Sequence, residues 1–337
     1  MATTIARCVR RVFSPLHERW GLNGSAYSPT VAKQMVWLSG LLPYEQAAEV
    51  FERIGHRVIP RMSLWRQAQQ HGERLRAYQE HQQAMVSVER VELPDSRADH
   101  HRQKGLSLDG GMMNIRGEGW KEFKTGVVFD VEPRAVLDQV LNEALDLAHG
   151  VKMAYTAVLG SVPQFVLAFW ALAVAHDVPQ AADSSVTADG AEWIWPVADD
   201  LFPDSTQIVD WYHATQHLTQ AAQALFPDQP EPAERWYALQ RTALFRGEIW
   251  KITQPLDQAG LTDHSRYFHT HQRRMQYQTF RDQGYPIGSG TVESGIKQFK
   301  ARLTGPGMRW SRPAAERMLV VRAAILSHNF DRLWAVA

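Results

Sequence analysis

The spacing of apolar residues divides the chain into a helical start, a run of strands and a helical second half. Before residue 80, apolar side chains recur at helical spacing in three segments. The first begins at Ser28-Pro29-Thr30, the second covers residues 43–54, and the third begins near Arg61 with Ser63 as the expected N-cap. Such a helix trio is typical of a helix-turn-helix module, and a helical cap on the main domain explains it equally well.

Five short strands are predicted between residues 105 and 210. Apolar or alternating runs begin at Leu106, Trp120, Lys152, Ser185 and Gln207. An apolar helix from Pro163 to Ala175 separates the third run from the fourth. Three consecutive strands, a helix and further strands indicate an α/β fold, in which the first three strands form an antiparallel meander.

The second half of the chain has helical patterns. No strand alternation is present from about residue 214 to 284, which we interpret as a helical insertion. Two helices follow, one containing Glu293 and one opening at Ser311-Arg312-Pro313. We predict four regions: a helical N-terminal region with a polar linker (1–104), the first part of the core (105–213), the insertion (214–284) and the closing helices (285–337).

Composition fits a globular protein with a core. Of the 337 residues, 45% are hydrophobic and 21% charged, and the formal net charge is zero. Overall charge therefore indicates no nucleic-acid partner, although a local basic patch is still able to bind one. The single cysteine, Cys8, excludes an internal disulfide and a cysteine-based zinc cluster and suits a reducing cytoplasm. The pattern predicts neither a transmembrane helix nor a signal peptide.

Three acidic residues carry the candidate chemistry. Asp109 and Asp189 are each expected at the C-terminal end of a strand, directly before a glycine, and Glu293 opens a helix. An Asp-Gly pair is usually only a turn, but the three carboxylates together favour a metal site. Oxygen ligands suit Mg²⁺, and two ions about 3.5–4 Å apart are able to activate a nucleophile and stabilise a leaving oxygen at phosphorus. We therefore predict a site for two Mg²⁺ ions, with Mn²⁺ as a possible substitute.

Five sequence segments resemble those of a known family. Four are Asp109-Gly, Asp189-Gly-Ala-Glu-Trp-Ile-Trp, Asp210-Trp-Tyr-His213-Ala-Thr-Gln-His-Leu and Gly-Tyr-Pro-Ile-Gly-Ser-Gly-Thr-Val-Glu293-Ser-Gly. The fifth is Arg302-Leu-Thr-Gly-Pro-Gly-Met-Arg-Trp310-Ser. Through them, roughly residues 105–330 are similar to the ISKra group of bacterial insertion-sequence transposases, which look like relatives of the Mutator-type elements.

The resemblance implies a ribonuclease-H-like mixed sheet with a helical insertion between the second acid and the catalytic glutamate. It implies that Asp109, Asp189 and Glu293 are the catalytic, metal-binding acids. The Asp-x-x-His signature of the family falls on Asp210 and His213. We assign Asp189 as the second metal ligand, because it follows a strand and precedes a glycine. Asp210 is the alternative; otherwise Asp210 and His213 are accessory groups that orient the site or position DNA.

Basic residues are expected to bind DNA beside these acids. Phosphate contacts give sequence-independent affinity that weakens with salt, and the candidates are Lys297, Lys300, Arg302, Arg309, Arg312, Arg273 and Arg274. Trp310 either covers a base or belongs to the core. The histidines at 264, 269 and 271, beside Arg273 and Arg274, indicate a solvated helix facing DNA rather than a zinc site.

The implied activity is that of a DNA transposase, which cleaves element ends with metal ions and transfers the freed 3′-hydroxyl into target DNA. The alternatives are a metal-dependent nuclease of the same fold without strand transfer, and a non-catalytic DNA-binding protein derived from a transposase. The expected partners are the DNA of element ends and target and a second copy of the chain, with no membrane. The expected location is the bacterial cytoplasm, at the nucleoid. Because related transposases carry a longer helical N-terminal region, the start is expected to be truncated or rebuilt.

Overall fold

Five strands form one mixed sheet in the computed structural model, which describes residues 26–86, 99–138, 143–288 and 290–336. The strands are β1 (Asp99–Ile115), β2 (Gly119–Asp138), β3 (Glu143–Val158), β4 (Ala181–Ala188) and β5 (Thr206–Val209). Their order across the sheet is β3-β2-β1-β4-β5. The first three strands are an antiparallel meander, and β4 and β5 continue the sheet parallel to β1. The predicted α/β class and meander are confirmed.

Helices precede, interrupt and follow the strands. Those before the sheet are α1 (Pro29–Leu41), α2 (Tyr44–Arg53) and α3 (Arg61–Met85). Helix α4 (Val162–Ala175) leads to β4, and α5 (Ile194–Leu201) leads to β5. The later helices are α6 (Trp211–Leu225), α7 (Pro230–Phe245), α8 (Trp250–Gln258), α9 (Thr262–His271), α10 (Tyr277–Asp282), α11 (Gly290–Leu303), α12 (Arg312–Leu326) and α13 (Phe330–Val336). Residues 214–284 contain helices and no strand.

The first helix begins at its predicted start, and the third does not begin at its predicted N-cap. The Ser28 hydroxyl caps α1 by accepting the Val31 backbone N–H at 3.4 Å. The N-cap predicted for α3 is wrong, because that helix begins after Pro60 and Ser63 lies within its first turn. Helix α3 extends beyond residue 80 and β1 begins at residue 99, so part of the predicted polar linker is regular structure. The rest, residues 87–98, lies outside the described residues.

Helices α1 and α3 pack directly on α12. A Cβ atom on Gly40 of α1 would lie 2.4 Å from Ile325 Cδ1, and one on Gly72 of α3 would lie 2.9 Å from Arg317 Cβ. Arg317 also donates hydrogen bonds to Glu73 and Gln69 of α3. These contacts favour a helical cap on the main domain, the second interpretation of the sequence.

The sheet separates two hydrophobic cores. Because strand side chains alternate between faces, Leu106 and Leu108 join the core that contains α4, whereas Met113 and Ile115 join the core that contains α11 and α12. Asp109 is one residue beyond Leu108, so it lies on the α11 face. The apolar stripe predicted for α11 is confirmed as buried in that second core, and consists of Ile296, Phe299 and Leu303.

The glycine pair after Asp109 makes room for an aromatic ring. The predicted strand end at Asp109 is wrong, because Gly110 and Gly111 pair with Lys124 and Phe123 inside the β1–β2 ladder. A Cβ atom on Gly111 would lie 2.3 Å from Phe123 Cζ. Gly111 therefore admits the ring, and β1 continues to Ile115.

A second strand glycine gives a stability prediction. A Cβ atom on Gly126 of β2 would lie 2.3 Å from Cδ2 of Phe169, a fully buried ring of α4. We expect Gly126→Ala to lower the free energy of unfolding by about 1–3 kcal/mol, because the ring has to leave its packed position. Urea denaturation measures the change. The exposed change Glu132→Ala on the same strand is the control and should have an effect of less than about 0.5 kcal/mol; equal effects would contradict the packing.

Candidate functional site

Adjacent parallel strands bring Asp109 and Asp189 together. The β1–β4 register pairs Leu108 with Ala188, and the two aspartates are the next residues on their strands. Both side chains are partly buried. Each carboxylate accepts a local backbone N–H, that of Gly110 for Asp109 and that of Ala191 for Asp189. Asp109 does not end its strand as predicted, whereas Asp189 follows the last residue of β4.

Asp210 lies next to these two residues. Its backbone N–H donates to the carbonyl oxygen of Ala188 at 2.7 Å, which fixes it beside the end of β4. The side chain is 1% exposed and caps α6, and its Oδ1 accepts the His213 backbone N–H at 2.8 Å. The same oxygen lies 3.1 Å from His213 Nδ1. The carboxylate therefore orients the imidazole.

The loop before α11 carries the third acid toward the strand ends. Its Pro286 carbonyl accepts the Thr187 hydroxyl at 3.1 Å, and its Ile287 carbonyl accepts the Trp211 backbone N–H at 2.9 Å. Helix α11 then begins at Gly290, and Glu293 lies in its first turn. The Glu293 carboxylate is 3.0 Å from the Lys297 ammonium one turn later.

The charges of these groups influence one another. Burial, and next the charge of Asp189, raise the pKa of Asp109 to about 6, against a smaller opposing influence of His213 and Lys300. The pKa of His213 is raised, chiefly by its hydrogen bond to Asp210, with smaller contributions from Asp189 and Glu293. All the predicted acids therefore lie within electrostatic reach of His213.

The raised pKa of Asp109 predicts a pH-dependent stability, measured in EDTA. Relative to its value of 3.8 in the unfolded chain, the folded carboxyl binds its proton more tightly. The free energy of unfolding should therefore fall as pH rises from about 4 through 6. Because one pKa unit corresponds to about 1.4 kcal/mol, the loss is about 3 kcal/mol. Urea denaturation across this range measures it, and Asp109→Asn should remove that part of the pH dependence. An unchanged dependence would contradict the assigned environment.

The donor set suits a hard divalent cation. Two carboxylates occupy neighbouring positions on the adjacent strands β1 and β4, and the closeness of the two negative charges is unfavourable until a cation balances them. Carboxylate oxygens are the ligands that Mg²⁺ and Mn²⁺ prefer. Within the described ranges, no group of three or more His, Cys, Asp or Glu side chains is already arranged as a metal site. Glu293 holds Lys297 instead, and would have to exchange that partner for the ion.

Some of the predicted DNA-binding side chains are exposed, and others already interact with neighbouring side chains. Exposed side chains without an ion pair among the described residues are Lys300, Arg309 and Arg273. Arg312 forms a two-pronged ion pair with Glu118, and Arg274 lies 4.3 Å over the Trp195 ring. Of the exposed cations, Lys300 is the one whose charge influences Asp109.

Arg302 and Trp310 are interior residues, which corrects their predicted contact with DNA. Arg302 is 1% exposed, and its Nε donates to the Ser39 carbonyl oxygen at 2.6 Å. Its guanidinium lies between the rings of Tyr44 and Trp310, at 5.1 and 5.0 Å. The Trp310 indole N–H donates to the Leu303 carbonyl at 2.9 Å. Together they join α1, α2 and α11.

Lys300 and Arg302 provide a matched pair of variants on one helix. Lys300→Gln should leave the free energy of unfolding unchanged. If Lys300 contacts a DNA phosphate, as the sequence predicts, this variant should also reduce the salt dependence of DNA binding by about 0.9 in the log–log slope. Arg302→Lys should leave that slope unchanged and lower the free energy of unfolding by about 1–3 kcal/mol. The loss is expected because the guanidinium group between the two rings and its hydrogen bond to the Ser39 carbonyl are removed. Fluorescence anisotropy and urea denaturation measure the two quantities. A reversed result would contradict the burial of Arg302.

Sequence reasoning missed the insertion residues that face the acids. Tyr267 of α9 stacks on His217 of α6 at 3.6 Å, and the pKa of its hydroxyl is raised by burial and then by the charges of Asp189 and Asp210. A Cβ atom on Gly190 would lie 3.5 Å from both Tyr267 and His271. His271 is buried, so part of the helix predicted to be solvated faces inward. Helical spacing carries no signal of this long-range approach.

No protein-family model matches the chain. No curated protein is significantly similar to it either. Among the described residues, no helix combines the length and apolar character required to cross a bilayer.

Proposed function

We propose that this protein is a metal-dependent DNA transposase of the DDE type. The observation that carries the proposal is the approach of Asp109 and Asp189 on neighbouring parallel strands, on the sheet face covered by the helix that holds Glu293. The sheet, with β4 and β5 added parallel to β1 beyond an antiparallel meander, is compatible with a ribonuclease-H-like core. The helical region between Asp210 and Glu293 fits the insertion that the resemblance implies.

Asp109, Asp189 and Glu293 would hold two Mg²⁺ ions, and Mn²⁺ would substitute. When bound, such ions lower the pKa of water and stabilise a leaving oxygen at phosphorus. Asp210 orients His213 beside the acids, and Lys300 is available to a non-bridging phosphate oxygen. The carboxylates form no covalent bond to DNA in this scheme. Cleavage leaves a 3′-hydroxyl, which then attacks a target phosphodiester and displaces its 3′-oxygen.

Incubation of the purified protein with DNA that carries the flanking element ends tests the proposal. Cleavage at the ends with Mg²⁺, and none in EDTA, is the expected result. A pre-cut end with a free 3′-hydroxyl should become joined to target DNA. Cleavage without joining would replace the proposal by the nuclease alternative, and DNA binding without either reaction would favour the non-catalytic one.

The second acid is tested separately. We expect Asp189→Ala to abolish cleavage, because its carboxylate is adjacent to that of Asp109 and can share an ion with it. Asp210→Ala should reduce the rate through misorientation of His213. Full activity of Asp189→Ala together with complete loss in Asp210→Ala would reverse the two roles.

A further inference from the structure

A large cavity opens beside the acids. Its volume is about 790 Å³, and it is lined by β3, the start of α6, α7, α10 and the loop that leads into α11. A cavity of this size accommodates an organic ligand of several hundred Å³. None of the proposed acids lines it, so its side chains have no role yet in the proposed chemistry.

The lining combines flat rings with positive charge. It includes Arg241 and Arg281 and neither aspartate nor glutamate. The Arg241 guanidinium lies 5.7 Å from the Trp211 ring, and that of Arg281 lies 5.9 Å from the Phe245 ring. The two rings meet edge to face at 5.8 Å. Neither arginine has an acidic partner in the part of the chain that the structure describes, so both charges are available to an anion.

The cavity reaches the acid site through Tyr212 and Gly288. Tyr212 is 63% exposed, lines the cavity, and lies in the first turn of α6, two residues after the capping residue Asp210. A Cβ atom on Gly288 would lie 3.3 Å from the Tyr212 ring and 3.8 Å from Asp210 Oδ2. A ligand beside Gly288 is therefore within contact distance of Asp210, the residue next to the two strand aspartates.

We propose that this cavity holds one unstacked nucleotide of the DNA strand whose phosphate lies at the acids. This proposal rests on the proposed function. Tyr212 stacks on the base, and Arg241 and Arg281 bind the adjacent phosphates. A nucleotide combines a flat base with a negatively charged phosphate, and these match the aromatic rings and the arginines of the lining. An apolar ligand would leave both guanidinium groups, of which Arg241 is exposed and Arg281 is half-buried, without an anionic partner, and an inorganic anion would leave most of the apolar wall in contact with water.

Binding of single-stranded DNA in EDTA tests the inference apart from catalysis. The probe is a fluorescein-labelled oligothymidylate of about 12 nucleotides, followed by anisotropy, with a second probe of equal length and charge that contains abasic residues. Arg241→Gln and Tyr212→Ala are compared with the matched control Arg235→Gln. Arg235 is an exposed arginine on the same helix as Arg241 and lies outside the cavity.

The variants should separate charge from stacking. Tyr212→Ala should weaken oligothymidylate binding about fivefold or more and leave abasic binding unchanged, because one stacked base is lost. Arg241→Gln should weaken both probes and lower the salt slope by about 0.7, and Arg235→Gln should change neither. Equal effects of Arg241→Gln and Arg235→Gln, or equal effects of Tyr212→Ala on both probes, would overturn the inference.

Failure of this inference is distinguishable from failure of the proposed function. If the variants behave as expected but element ends are not cleaved with Mg²⁺, the result supports nucleotide binding in the cavity and contradicts the transposase proposal. If cleavage occurs and the cavity variants bind both probes like the unmodified protein, the result supports the proposed function and contradicts nucleotide binding in the cavity.

Discussion

Replacement of Asp109 by asparagine is expected to reduce the proposed DNA cleavage by on the order of a thousandfold, because loss of one proposed metal-binding carboxylate removes several kcal/mol of charge stabilisation. The side chain keeps nearly the same shape, and its neighbour Asp189 remains. The variant should fold and bind DNA as the unmodified protein does, since the proposed DNA contacts are made by the exposed cations. Rates of end cleavage under single-turnover conditions measure the loss.

The exposed acid Asp200 supplies the control for this variant. It lies at the surface on α5, so Asp200→Asn removes one negative charge away from the proposed site. Cleavage by this control should match that of the unmodified protein. A cleavage rate within about tenfold of normal in Asp109→Asn, a loss of only ~1.4 kcal/mol, would exclude Asp109 as a ligand of the catalytic metal.

Truncation of Phe299 should cause the largest loss of stability among the changes considered. Its side chain is fully buried, 6.0 Å from the Phe123 ring and 6.5 Å from the Tyr155 ring, and it fastens α11 to the sheet. We expect Phe299→Ala to lower the free energy of unfolding by about 3–5 kcal/mol, through lost burial and the cavity that remains. The midpoint of urea denaturation gives the change.

A milder replacement separates packing from chemistry at the same position. Phe299→Leu keeps most of the volume and should cost less than about 1.5 kcal/mol. Because Glu293 lies two turns earlier on α11, cleavage by the Ala variant should fall more than that by the Leu variant under conditions where both are folded. Equal stability of the two variants would contradict the packing of α11 on the sheet.

Local periodicity predicted the parts of the fold that depend on one-sided burial. The stripe on α11 and the strand-by-strand meander were both correct, since each element buries one face. The alternation in Leu106-Ser-Leu-Asp109 also indicates that Asp109 lies opposite the leucines, on the face that α11 covers. The sequence therefore already indicated the face on which Asp109 lies, although the strand was predicted to end at this residue.

Long-range partners explain the incorrect predictions. The Gly110-Gly111 pair reads locally as a turn, and only the register with Phe123 on β2 explains its continuation as strand. Arg302 reads as a surface cation beside other cations, yet its partner is the Ser39 carbonyl of α1. The approach of Tyr267 to Asp189 depends on how the helical insertion folds back over the strands. No local sequence pattern predicts these long-range contacts.

Hydroxyl-radical cleavage of the protein by bound Fe²⁺ tests the central claim most directly. Fe²⁺ accepts oxygen ligands, and with ascorbate and peroxide it cuts the polypeptide near the residues that bind it. The account predicts cuts close to Asp109, Asp189 and Glu293 together, suppressed by excess Mg²⁺ and lost at all three positions in Asp109→Asn. Cuts confined to one of these segments, or unaffected by Mg²⁺, would contradict a shared ion site.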